Sequence, residues 1–372
     1  MKIEQNKSLR FLNTLGVDAA AKYFTKIRSV EEFRELAGDP RFSGEKKLIL
    51  GGGSNILLTK DFDGWVVKNA IPGVAVTSET DSEVIVTVGA GEVWNDLVMG
   101  CIQKNYGGLE NLSLIPGLTG AAPIQNIGAY GVELQDTFHE LEAIEIHSGV
   151  LAKFNAVDCA FGYRDSIFKH KFQGQFLITS VSFKLKKLSA PASRYRFRIE
   201  YGDLRRTLDE MKIQDLSLKA VSDAVCQIRR AKLPDSKEIG NAGSFFKNPS
   251  VSQSQFKALA YEYPKMPHYL QQDETVKIPA GWLIEQCGWK GKTVGRVGCH
   301  KTQALVLVNY GGPNTDQSER SGDWGRPNYH SGKEIKSFGG ATGKEILEFS
   351  EAISQSVKEK FGIELSCEVN VI

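Results

Sequence analysis

The stretch that most constrains this chain is Ile239-Gly-Asn-Ala-Gly-Ser-Phe-Phe-Lys-Asn-Pro249. Gly240 and Gly243 permit backbone angles that a β-carbon forbids, while Phe245 and Phe246 cannot both face water comfortably. One hydroxyl, Ser244, is framed between them. Two readings fit the pattern: a tight turn capped by Ser244 with the phenylalanines as core anchors, or a hydroxyl aimed rigidly at something.

A chain of 372 residues is too long for one ordinary core, so two or three domains are expected. With 41% hydrophobic and 24% charged residues it has the make-up of a soluble globular protein. Its 46 basic and 44 acidic residues leave a net charge of +2, which does not hold a nucleic acid, although a local cluster can still take a phosphorylated small molecule. Met1 to Leu15 is polar and no stretch is long enough to span a membrane, so a cytoplasmic protein with no membrane partner is expected. The six cysteines are scattered with no C-x-x-C pair, and the six histidines lack zinc-ligand spacing; reduced thiols and no metal are expected.

Along the chain, Ser29 to Glu32 fits a capping box before a short helix, and Lys47 to Leu50 reads as an apolar strand. Gly51-Gly-Gly-Ser-Asn55 follows it. Consecutive glycines after a strand can offer backbone N–H groups to an anion, and Ser54 and Asn55 add side-chain partners; a plain turn is the alternative. The spacing is not G-x-G-x-x-G and no Gly-Lys-Ser/Thr follows, which excludes a Rossmann fingerprint and a P-loop. Strands then dominate, at Trp65–Lys68, Val74–Thr77 and Glu83–Val88, with a helix over Val93 to Lys104. A second glycine-rich stretch runs from Pro116 to Gly131 with few charges, where Gln125, Asn126 and Tyr130 offer hydrogen bonds and a ring; it suits an extended ligand with a flat face, or else is a long connecting loop.

Arg164 sits in Phe161-Gly-Tyr-Arg-Asp-Ser166, either as a surface residue paired with Asp165 or as a binding group, before an apolar strand from Gln175 to Leu185. Tyr201 follows a strand-then-turn pattern over Arg198 to Asp203. Leu218, Val221, Val225 and Ile228 mark an amphipathic helix ending in Arg229, Arg230 and Lys232, cations that favour the helix dipole. Ala280 to Gln286 reads as a helix, Lys290-Gly291 as a turn and Ala304 to Val308 as a buried strand. Thr342 to Glu345 caps a helix whose stripe is Ile346, Phe349, Ile353, Val357 and Phe361. The tail alternates from Ile363 to Val371 as a last strand, which leaves Glu368 on its polar face toward solvent or a cleft.

Gly51 to Asn55 together with Pro116 to Gly131 resembles the two dinucleotide-binding loops of the vanillyl-alcohol-oxidase-type (PCMH-type) flavin domain. Adding Phe161 to Ser166, Tyr201 to Leu204, Asn241 to Pro249 and Glu368, nearly the whole chain resembles, in order, the UDP-N-acetylenolpyruvoylglucosamine reductase family of peptidoglycan synthesis, first type. The resemblance implies an α+β fold: a two-subdomain FAD-binding part, residues 1–70 (joined by the C-terminal strand region) and 71–215, and an α+β substrate-binding domain, residues 216–372. It implies non-covalent FAD, held by Gly51, Gly52, Gly53, Ser54, Asn55, Pro116, Gly117, Gly120, Pro123, Gln125, Asn126, Gly128, Ala129 and Tyr130, since neither loop carries a histidine for attachment. By the same resemblance, NADPH is expected to reduce the flavin, which is expected to pass hydride to the enolpyruvyl ether of UDP-N-acetylglucosamine. The resemblance further implies that Arg164 and Glu368 stabilise the developing charge, that Ser244 donates the proton, and that Tyr201, on a mobile loop, with Lys232, Asn248, Lys290 and Gln303 holds the substrate. A monomer is expected.

Two departures from the family stand out. Pro313 to Gly340, polar and carrying the near-repeat Ser318-Glu-Arg-Ser-Gly322 and Asn328-Tyr-His-Ser-Gly332, reads as a surface insertion. Ser366-Cys367 precedes Glu368 where many relatives carry Glu-Pro. Rival readings are a flavin oxidase of the same superfamily, which air alone would reoxidise, and a non-catalytic nucleotide-binding protein, which has no need of Arg164, Ser244 and Glu368 together.

Overall fold

A computed structural model describes residues 1–188, 195–271, 273–311 and 340–372. The expected insertion lies, apart from Gly340, outside the described residues. The chain divides into two compact units: residues 1–7, 20–53 and 61–232 form the first, and residues 8–19, 54–60 and 233–372 the second.

The first unit holds two sheets. In the smaller one, Phe62–Asn69 runs parallel to both Ala20–Ile27 and Lys46–Leu50, with Ile3–Ser8 at the edge. A central parallel strand is covered on both faces, and Trp65, Val66 and Val67 are accordingly buried in succession. The helix Val30–Ala37 packs Phe33 and Leu36 into the same core as Trp65. Ser29 caps it by accepting the Glu32 N–H at 3.2 Å, but Glu32 reaches back to the Arg28 N–H, one residue earlier than a reciprocal capping box requires.

The larger sheet is antiparallel, in the order Leu151–Asn155, Phe138–Glu145, Phe176–Lys187, Glu83–Gly89, Val74–Glu79, and Tyr106–Gly107 pairs the far end of Phe176–Lys187. Its core includes Val84, Val86, Val88, Leu141, Phe183 and the helix Trp94–Gln103. The helices Leu204–Glu210 and Leu218–Lys232 form a further cluster through Leu204, Leu208, Val221, Val225 and Ile228, with Tyr130 packed against it. This moves the domain boundary from the expected residue 215 to Lys232. The strand expected at the start of the Arg198 to Asp203 pattern is irregular chain, and Tyr201 opens the expected turn.

In the second unit, Gly240–Ser244, Val306–Asn309, Val297–Cys299 and Thr293–Val294 form a four-stranded sheet. The helix Gly343–Phe361 buries Ile346, Phe349, Ile353, Val357 and Phe361 as its spacing predicts, and Gly362 ends it at φ +65°. The expected last strand is mostly extended chain that changes partners. Lys247 N–H bonds Ser366 and Glu368 N–H bonds Phe245, after which Asn370–Val371 pairs in parallel with Ile56–Leu57. With two partners in turn the alternation breaks, and Val371 is exposed.

Candidate active site

In the first unit the two glycine-rich stretches meet backbone to backbone. A β-carbon on Gly52 would stand 2.7 Å from Gly117 Cα, and one on Gly51 would meet the Ala121 methyl at 2.9 Å. Gly120 is likewise pressed on Ala90, whose carbonyl takes its N–H at 2.9 Å. Side chains are excluded from this cradle, which leaves main-chain groups to face a ligand, as a diphosphate requires. The Lys68 ammonium bonds the Gly51 carbonyl and stations a cation under the turn.

The stretch Pro116 to Gly131 is not an irregular loop. It folds as two short 3-10 turns, Thr119–Ala121 and Pro123–Gln125, and a hairpin in which Gly128–Ala129 pairs with Val132–Glu133. The hairpin turn is Tyr130-Gly131 with φ of +49° and +79°, the type I′ signature; glycine accepts that region freely, whereas a tyrosine must be held in it. Asn126, fully buried at φ +41°, donates to Glu133 at 2.9 Å and to the Gly162 carbonyl at 3.0 Å and accepts the Gln135 N–H at 3.0 Å. Its carboxamide shapes the loop from within.

Arg164 stands at the tip of a tight turn closed by reciprocal Gly162–Asp165 bonds, at φ +53°. Its guanidinium donates to the Gly128 carbonyl at 2.5 Å, while the Asp165 carboxylate meets His170 at 2.7 Å. Lys232 pairs with Asp203 at 2.8 Å, and that bond holds the carboxyl below its ordinary range. The bond ties the end of the long helix to the Tyr201 turn, where Tyr201 is 53% exposed and its Cβ is 3.2 Å from where a Gly131 Cβ would stand.

In the second unit Ser244 ends a strand rather than capping a tight turn. It pairs with Val306, and a bulge separates it from Asn241. The two glycines serve different ends: a Gly240 β-carbon would collide with the Leu15 carbonyl at 2.3 Å, whereas Gly243 stands in open space at φ +69°. Phe245 and Phe246 are both buried, edge to face at 5.2 Å. The Glu368 N–H donates to Phe245 at 2.8 Å, which brings Glu368 and Ser244 together, and Asn55 fixes the same turn by donating to the Glu368 carbonyl at 3.2 Å. Asn248, Lys290 and Gln303 gather around the helix Ala280–Gln286. Asn248 accepts the Ala280 N–H at 2.9 Å, Lys290 pairs with Glu285 at 2.9 Å, and the Gln303 amide oxygen lies 3.2 Å from where a Gly281 Cβ would stand.

A family model described as the C-terminal domain of UDP-N-acetylenolpyruvoylglucosamine reductase matches residues 234–320, and one described as an FAD binding domain matches residues 21–155. Proteins named UDP-N-acetylenolpyruvoylglucosamine reductase from Amoebophilus asiaticus and Flavobacterium johnsoniae are 44% and 45% identical over 372 residues, covering 100% of this chain and of each relative. The chain belongs to the UDP-N-acetylenolpyruvoylglucosamine reductase family. The crystal structure of a reductase of that name from Thermus caldophilus aligns over 100% of this chain and 99% of that one with a TM-score of 0.63; at 22% identity this shows a shared fold.

One residue of this reductase chain that sequence reasoning passed over is Arg229. Its Nε is shut off from water and has no hydrogen-bond partner among the described residues. Burial pushes the guanidinium down from its ordinary pKa, Tyr130 opposes the shift and Arg164 adds to it. A buried cation left in this state calls for an anion. In the sequence it is one of three cations in a last helical turn, and only packing distinguishes it from its neighbour Arg230, which is exposed. No group of three or more potential metal ligands occurs among the described residues, and no described helix is long and apolar enough to cross a membrane.

Proposed function

We propose that this protein is an FAD- and NADPH-dependent UDP-N-acetylenolpyruvoylglucosamine reductase, acting as a cytoplasmic monomer in peptidoglycan precursor synthesis. The observation that carries the reading is the first unit's close-packed glycine cradle together with the Arg229 guanidinium, whose buried Nε has no hydrogen-bond partner among the described residues and which feels Tyr130 and Arg164 electrostatically. The cradle fits a dinucleotide, and the guanidinium fits an anionic co-ligand next to it.

Gly51 to Asn55 and Pro116 to Tyr130 would hold FAD, which would supply hydride chemistry between NADPH and the enolpyruvyl double bond. Arg164, whose guanidinium bonds the Gly128 carbonyl of the glycine-rich stretch, would meet the substrate carboxylate. Arg229 offers a second, poorly hydrated positive charge that gains most from an anion. Tyr201, Lys232, Asn248, Lys290 and Gln303 are the residues assigned to holding the substrate. Ser244 gives the proton that completes saturation. A hydroxyl is a weak acid, so it serves only if held still, and the bulged strand end and buried phenylalanine pair hold it. Glu368, whose main chain bonds Phe245 beside Ser244, would stabilise the developing charge.

Ser244→Ala is expected to keep NADPH-dependent bleaching of the flavin at its normal rate and to slow reoxidation by the enolpyruvyl substrate by roughly 10²- to 10⁴-fold. Stopped-flow absorbance separates the two half-reactions. Equal slowing of both would remove Ser244 from the proton-donor role, and rapid reoxidation by air with no response to the substrate would replace the reductase reading with an oxidase.

A further inference from the structure

Two consecutive polar residues, Glu110 and Asn111, occupy the short 3-10 turn Glu110–Leu112 and are 2% and 1% exposed. Groups buried this deeply persist only when their hydrogen bonds are made. The Asn111 amide donates to two carbonyls from segments far apart in the chain: Tyr130, in the hairpin turn of the glycine-rich stretch, at 2.9 Å, and Arg198, on the approach to Tyr201, at 2.7 Å. Glu110 accepts the Gly108 N–H at 2.8 Å and the Tyr195 hydroxyl at 2.5 Å, and so grips the same approach three residues earlier. Arg198 reaches back to the Gly131 carbonyl at 3.3 Å and to Asp136 at 2.6 Å.

We infer that the Glu110-Asn111 turn is a clasp joining the Tyr201 segment to the Tyr130-Gly131 end of the cofactor cradle, so that the nucleotide substrate and the flavin bind cooperatively. This rests on the reading that places FAD in the cradle and the nucleotide under Tyr201. Tyr130 is held at φ +49°, a conformation that a bulky residue keeps only when its surroundings impose it, and the imposed contact is the bond from Asn111 to its carbonyl. If either segment moves alone, a buried amide hydrogen loses its acceptor, a penalty worth roughly 5- to 150-fold in an equilibrium. Movement of either segment alone also breaks the direct bond from Arg198 to the Gly131 carbonyl, which movement together keeps, so the two segments are held to one position. A ligand that orders one therefore steadies the other, and linkage makes the effect mutual. Asn111 is in this sense a positioning residue.

The test uses the holoenzyme and uridine 5′-diphosphate as the probe. FAD release after dilution, followed by the rise of its fluorescence, is measured with and without saturating probe. In the unaltered protein the probe is expected to slow release roughly tenfold, within the usual range of coupling between two sites. In Asn111→Leu release is expected to become indifferent to the probe, with kcat reduced less than KM is raised. Arg198→Met, which alters a half-exposed side chain and provides a second variant should Asn111→Leu fail to fold, is expected to weaken the coupling in the same direction. A purely structural role would speed release by the same factor with and without probe, and that result overturns the clasp. So does full coupling in a folded Asn111→Leu protein. An unaltered protein that carries no FAD or binds no probe would overturn the functional reading itself.

Discussion

At the residue scale, Asn126 and Arg229 differ in how the fold has used their polar atoms. Asn126 is hydrogen-bonded to Glu133, Gly162 and Gln135, whereas Arg229, which looked like helix-dipole decoration, has a buried Nε with no hydrogen-bond partner among the described residues. That difference has an experimental signature of opposite signs. Arg229→Met should raise the unfolding free energy by on the order of 1 kcal/mol, because a desolvated, unsatisfied group is removed. It should lower kcat/KM by on the order of 100-fold, because the buried anion partner of the reaction loses its cation. Denaturant unfolding and steady-state kinetics on the same preparation check both, and a variant that loses stability as well as activity would make Arg229 a structural residue.

At the element scale, the helix Gly343–Phe361 shows how local signals fix an end. Thr342 accepts the Glu345 N–H at 3.2 Å, and the Glu345 carboxylate accepts the Thr342 N–H at 2.7 Å and its hydroxyl at 2.9 Å. Those two donors hold the carboxyl below its ordinary range. A carboxylate whose folded pKa is depressed contributes stability in full above its unfolded pKa, about 4.3, and loses it as the pH falls through the lower folded value. Glu345→Gln should therefore flatten the acid limb of a Tm-against-pH curve below about pH 4 and leave its neutral region nearly unchanged. An unchanged acid limb would mean that the cap does not titrate with folding. The sequence showed this helix's stripe and N-terminal end, because their determinants lie within four residues of one another. It could not show the tail after Ile363, where strict alternation predicted one strand and the chain instead exchanged partners between Phe245 and the Asn55 to Leu57 segment. Alternation records which face is apolar and says nothing of which neighbour supplies the hydrogen bonds.

At the scale of the whole molecule, the second unit is assembled from pieces distant in sequence, and Asn309 shows what binds them. Buried at 3% exposure, it donates to the Leu15 carbonyl at 2.9 Å and accepts the Gly311 and Ala341 N–H groups at 3.0 and 2.9 Å. Gly311 and Gly340 are brought so close that a β-carbon on the first would stand 1.8 Å from the Cα of the second. The residues between them can thus be removed without stretching the flanks. Deleting 313–339 and joining Gly312 to Gly340 should leave flavin content, Tm and turnover near wild type; a folded deletion variant with a large loss of turnover would give the segment a part in the reaction. The sequence by itself determined the helix ends, the main strands, the two glycine-rich stretches and the Ser244 frame, since each follows from backbone permissions and periodicity among near neighbours. Only the tertiary structure decided that Gly240 is needed for space and Gly243 for angle, that the two stretches touch at Gly52 and Gly117, and that Asn111 and Arg229 matter. The physical reason is that burial and hydrogen-bond satisfaction belong to residues brought together by the fold, and no local pattern records whether a polar group has found its partner.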